Sequence, residues 1–160
     1  MPKLHWWRIL ALFSVLWWGG HGMVHASSSA AATATATAVG YVKTTAGDVW
    51  ITTQGQVVKA ALGTAIFQGS RLKTGANSSL GIAFIDNTVI SFGAETESVV
   101  DEYLYAPNQS QFGLGMNLVK GTLNYMSGLI AKLKPESVTI KTPTGIIGVR
   151  GTHFVARVEE

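Results

Sequence analysis

Few side chains in this sequence can do chemistry. Beyond residue 26 there is one histidine, His153; the others, His5, His21 and His25, lie near the N-terminus. A histidine metal site within one chain is therefore not expected. A Ser-His-Asp arrangement would have to use His153, which alternation places on the outward face of the last strand. The absence of cysteine removes disulfides, thiolate ligands and cysteine nucleophiles together. Asp48 and Asp86 sit beside glycine or asparagine in turns, where a side-chain oxygen accepts from backbone N–H groups. Glu95 and Glu97 share a parity, but their Gly-Ala-Glu-Thr-Glu setting reads as a turn rather than a glycosidase pair. Gly113-Leu114-Gly115 and the stretch Gly145 to Gly151 run between strands, with no helix start to hold phosphate. Asn77-Ser78-Ser79 and Asn108-Gln109-Ser110 read as turn composition. Trp50, or Tyr103 with Tyr105, would make a sugar-stacking platform, although Trp50 between Val49 and Ile51 reads at least equally as core. No catalytic residue, cofactor or metal is expected.

The elements that hold these residues follow from composition. The 160 residues suit one domain. Charged residues are 13%, about half the usual quarter, while 47% are hydrophobic and 18 are glycine. Such a chain favours short strands and tight turns over long solvated helices. Setting aside Lys3 and Arg8, ten basic residues face nine acidic ones, so the high pI is no sign of nucleic acid.

Lys3 and Arg8, the apolar run Ile9 to Trp18, the Gly19-Gly20 break and Val24-His25-Ala26 form the three parts of an export signal over residues 1–26. The run is shorter than the ~20 residues of a spanning helix. Trp6, Trp7, Trp17 and Trp18 flank it and suit a membrane interface, so a retained inner-membrane anchor is the alternative to cleavage. In either case the domain is expected outside the cytoplasm, periplasmic or secreted. Residues 27–39, SSSAAATATATAV, are too small-sided to repay their ordering and read as a disordered leader. The domain is then 40–160.

From residue 40 the pattern is strand, turn, strand. Tyr41 to Thr45, Val49 to Thr53 and Gln56 to Ala61 are separated by Gly47-Asp48 and Gln54-Gly55. Leu80, Ile82 and Phe84 share one parity, as do Ile90 and Phe92. Val99 to Tyr105, Phe112 to Val119, Thr122 to Met126, Val138 to Lys141 and Val149 to Val158 follow. Only Leu129 to Lys134 reads as helical. The spacing predicts an all-β fold, either an irregular, twisted solenoid-like stack or a sandwich of short strands, with at most one short helix.

Thr142-Pro143-Thr144-Gly145, followed by Val149-Arg150-Gly151-Thr152-His153-Phe154, resembles the terminal signature of the FecR domain family. Gly40-Tyr41-Val42, Gly47-Asp48-Val49, Leu62-Gly63 with Gly69, Leu72 and Thr74, and Phe84-Ile85-Asp86-Asn87-Thr88 are similar to earlier parts in the same order. Asn87 stands where glycine is common, a mild change because asparagine tolerates positive φ. The resemblance spans about residues 40 to 158 and marks Asp86, Thr142, Pro143, Arg150, Gly151, Thr152 and Phe154 as structural motif residues. It implies a twisted β domain that receives a signal outside the cytoplasm. FecR regulators join such a domain to a cytoplasmic anti-sigma part. Only eight residues precede the apolar run here, so no such part is expected, nor is a full iron-citrate relay. The resemblance implies a stand-alone module for protein interaction or signal sensing whose partner is another envelope protein. A carbohydrate or cell-wall glycan binding module is the alternative, and an enzyme the least favoured reading.

One further expectation concerns Arg150. In an unbroken last strand it shares a face with Phe154 and points to the apolar side. A buried guanidinium needs acceptors, and Asp86 is the first candidate. A break at Gly148 or Gly151 would instead turn Arg150 to solvent.

Overall fold

The computed structural model describes residues 36–159. The expected signal over 1–26 and most of the leader lie outside the described residues. Twelve strands follow in chain order: β1 (Ala38–Ala46), β2 (Val49–Thr53), β3 (Gln56–Lys59), β4 (Ala65–Phe67), β5 (Arg71–Thr74), β6 (Ser79–Phe84), β7 (Val89–Phe92), β8 (Glu97–Ala106), β9 (Gln111–Met126), β10 (Val138–Thr142), β11 (Gly145–Gly148) and β12 (His153–Val158). A five-residue helix, α1 (Leu129–Leu133), lies between β9 and β10. The fold is all-β, as composition and turn spacing predict.

The strands form one curled sheet in the order β3-β2-β5-β8-β9-β7-β6-β1-β4, with β10 and β12 also on β9 and β11 on β10. Every pairing is antiparallel except β9 with β10. The stacked parallel rungs of a regular solenoid are therefore not the plan. The sheet curls around a single apolar cluster that takes Ile51, Leu72 and Val100 from one half and Ile66, Ile82 and Ile90 from the other.

Local chemistry explains the turns. Gln54 and Gly55 both have positive φ, the two-residue hairpin geometry that matches strand twist. Asn87 has φ 66°, so it takes the left-handed conformation that the resemblance assigns to glycine. Leu80, Ile82 and Phe84 are buried on one parity in β6, as are Ile90 and Phe92 in β7.

Strand β9 is the organising element. Its first part pairs with β8 and β10, and its last six residues pair with β12, four of them also with β7. Gly121, at φ 90°, marks the passage between the two halves. A Cβ there would lie 2.5 Å from the Thr96 Cα. The expected split of this stretch into two strands is thus a bend within one continuous strand.

Three further boundaries differ from expectation. Ala38 and Val39, placed in the leader, belong to β1, where Val39 is buried and its carbonyl accepts from Ile85 N–H. Strands β4 and β11 are unanticipated, since three or four residues are too few to display a period. Val149 to Val158 is not one strand: β11 ends at Gly148, the chain leaves the strand over 149–152 with a bend at Gly151-Thr152, and β12 starts at His153.

Candidate functional site

Asp86 is fully buried at the turn between β6 and β7. Its carboxylate accepts from four donors. Oδ1 receives the Tyr103 hydroxyl at 3.0 Å and Thr88 N–H at 3.3 Å. Oδ2 receives the Thr88 hydroxyl at 2.7 Å and Ile130 N–H at 3.2 Å. Its main-chain carbonyl accepts from Leu129 N–H. Asp86 therefore caps the first turn of α1, satisfying donors that a short helix leaves open. Gly128 makes this approach possible: a Cβ there would collide with Thr88 N and the Asp86 carbonyl.

Two tyrosines border this cluster. Burial, then the Asp86 charge, holds the Tyr103 hydroxyl well above the ordinary tyrosine range. Tyr125 is buried with no hydrogen-bond partner for its hydroxyl. Burial pushes its pKa up to about 12, with the Asp86 charge adding and the nearby Thr88 side chain opposing. The Tyr125 ring stacks on Phe154 at 5.1 Å between centroids.

The C-terminal motif residues lie elsewhere and are mostly exposed. Thr142 and Pro143 form the turn from β10 to β11, where the Thr142 hydroxyl donates to the Gly145 carbonyl at 3.0 Å. Gly151 and Thr152 form the bend before β12, and the Thr152 carbonyl accepts from Ser127 N–H. Phe154, Ala156 and Val158 face inward, whereas His153, Val155 and Arg157 face outward, as alternation requires. His153 Nε2 lies 2.7 Å from Asn124 Oδ1.

Arg150 corrects the expectation made for it. It is exposed, forms no ion pair among the described residues, and does not meet Asp86. The interruption at 149–152 breaks the alternation that would have carried the inward face of Phe154 back to Arg150. The donors that Asp86 needs come from Tyr103, Thr88 and Ile130 instead.

Of the other candidate acids, Asp48 pairs with Lys59 and Glu97 with Arg71, while Glu95 is exposed in a turn at φ 52°; Asp101 pairs with Lys141. Among the described residues no three His, Asp or Glu side chains gather as a metal site would require. Tyr103 and Tyr105 do not form an aromatic platform, whereas Trp50 is at the surface rather than in the core. Tyr103 is buried on Asp86, Tyr105 packs against Phe112, and Trp50, 43% exposed, carries Lys59 Nζ over its ring at 5.8 Å.

What the C-terminal residues do enclose is an open cleft of about 540 Å³ between β11 and β12. Thr142, Ile146, Arg150, Phe154, Val155 and Arg157 are among its walls, and no acidic residue lines it. Neither β11 nor β12 pairs with a strand on this side.

The family described as FecR protein matches residues 70–160. That is more than half of the chain, and the protein belongs to this family. The match takes in Asp86 and the whole C-terminal set; the likenesses noted at residues 40–49, 62–63 and 69 lie before it. FecR domains are regulatory sensor parts, typically periplasmic. Among the described residues no helix is long and apolar enough to cross a membrane. No curated protein and no solved structure matches the chain.

Proposed function

We propose that this protein is a non-enzymatic FecR module that works outside the cytoplasm, sensing or relaying a signal by contact with another envelope protein. The observation that carries this reading is the division of the motif residues. Asp86 is enclosed and fully engaged in holding the fold. Thr142, Arg150, Gly151 and Phe154 line an open surface cleft that holds no pair of acid and base groups. A surface of that kind suits recognition rather than reaction. The export signal read in residues 1–26 supports the location. Mass spectrometry of the exported form checks it: the mature chain should begin at Ser27, whereas a full-length species in the membrane fraction would favour the anchored form.

The test is capture by the immobilised chain from periplasmic extract, run beside a panel of cell-wall glycan fragments. Saturable retention of one protein, unchanged by Trp50→Ala, is expected. Retention of glycan, lost on Trp50→Ala, would overturn the reading in favour of a carbohydrate module.

A further inference from the structure

The edges that form the cleft carry unpaired backbone groups, and their identity follows from the ladder. Ser127 N–H donates to the Thr152 carbonyl at 2.9 Å. Hydrogen-bonded pairs alternate along an antiparallel ladder. With the register Phe154↔Tyr125 and Ala156↔Leu123, residues 154, 156 and 158 turn their backbone groups to β9. The N–H and C=O of His153, Val155 and Arg157 therefore face the cleft. On the opposite wall, Val149 N–H donates to the Val138 carbonyl, so by the same alternation the backbone groups of Ile146 and Gly148 face it too. Ile146 is 68% exposed and Val155 59% exposed. Both walls are thus strand edges of the kind that templates another strand, and neither carries the inward-pointing charge, proline or bulge that would block one.

We propose that this cleft binds an extended, acidic segment of a partner protein, which adds to the sheet as a strand along β12. This deepens the reading of the chain as a protein-contact module and rests on it. Charge chooses the occupant. The outward side chains on β12 are His153, Val155 and Arg157, and Arg150 stands at the bend. Arg157 has one partner, Glu159 at 3.4 Å, in a pair exposed on both sides, which a competing carboxylate can replace at little cost. A strand laid alongside would set its own outward residues beside these three, and carboxylates flanking an apolar residue match them. A second copy fits less well: pairing β12 with itself about Val155 sets His153 opposite Arg157, and its Glu159 falls beyond the strand, opposite Gly151 and away from His153 and Arg157. The chain's own stretch 27–37 contains no acidic residue either.

The test uses the full chain, a short end-blocked peptide alternating Glu and Val, its Lys/Val counterpart, and a Glu/Val peptide N-methylated along one edge. Calorimetry should show binding of the first peptide, binding of the second about tenfold weaker or less, and none of the third. Amide hydrogen exchange should slow at His153, Val155 and Arg157 when the Glu/Val peptide is present. Val155→Pro removes an edge N–H that β9 does not use and should abolish binding with the melting temperature nearly unchanged. If that variant fails to fold, the N-methylated peptide decides the matter on the native chain. Equal binding of methylated and plain peptides, protection appearing elsewhere, or no binding of the Glu/Val peptide would overturn strand addition. Partner capture from extract that survives Val155→Pro would overturn it while leaving the module reading intact; loss of all protein capture by the native chain would remove that reading itself.

Discussion

The Tyr103 hydroxyl bridges two atoms of one residue: it accepts from the Asp86 backbone N–H and donates to Asp86 Oδ1, each at 3.0 Å. The Tyr103 ring also stacks on Phe84, 5.2 Å between centroids, two residues before Asp86. Strand β8 is thereby tied to the turn between β6 and β7 by a charge-assisted bond inside an apolar setting, where such bonds are strong and their loss leaves buried donors unmet. Asp86→Ala should cost about 3 kcal/mol, because it orphans the Thr88 and Tyr103 hydroxyls and Ile130 N–H. Tyr103→Phe should cost about 1–2 kcal/mol. Urea unfolding of the two variants measures both, and a cost below that of Tyr103→Phe for Asp86→Ala would show that the cluster is not the tie described.

Alkaline pH should weaken the fold. Tyr103 and Tyr125 both have folded pKa values above the ordinary one, chiefly through burial. The folded state then keeps protons that the unfolded state gives up, so stability is full below about pH 10 and falls as pH rises. For Tyr125 the fall runs from about 10 to about 12. Tyr125→Phe should flatten that part of the profile. At neutral pH the same change should be neutral or slightly stabilising, since it removes a buried hydroxyl that has no partner. Melting temperature against pH, native and variant together, reads both effects.

Arg150→Ala and Arg157→Ala should each leave stability within about 0.5 kcal/mol of native. Arg150 is exposed without an ion pair, and Arg157 holds only a surface one. Thermal melts with one variant clearly below the other would contradict the surface position of both.

Glycine to alanine separates two glycines that look alike in the sequence. Gly128→Ala should cost about 3 kcal/mol or prevent folding, because its Cβ meets the backbone of Thr88 and Asp86, including Asn87 C at 2.7 Å. Gly145→Ala should be close to neutral, since nothing lies within 4 Å of its Cβ. Circular dichroism melts of the pair check the contrast.

The parts of this fold legible in advance are those written at short range. The single-parity burial in β6, β7 and β12, the Gln54-Gly55 hairpin and the left-handed Asn87 all follow from neighbouring residues. Asp86 reads correctly as a turn acceptor, yet its partners Tyr103 and Ile130 stand 17 and 44 residues away. No local pattern pairs residues at such distances. The assignment of Arg150 to the interior failed for a related reason: parity carries across a strand only while the strand is continuous, and four residues outside the strand sufficed to lose it. The cleft was hidden because β11 is too short to announce itself, and an open edge is a property of the assembled sheet.

Strand β9 has a consequence for how the molecule comes into being. Its neighbours β7 and β8 precede it in the chain, while β10 and β12 follow it. A chain appearing from its N-terminus, at a ribosome or through a translocation channel, holds β7 and β8 with nothing to join them until residue 126 has emerged. The earlier strands can pair only into two separate sheets, β3-β2-β5-β8 and β7-β6-β1-β4, and one late segment joins them. Joining that comes so late along the chain slows folding and leaves the facing edges of β7 and β8 open until then.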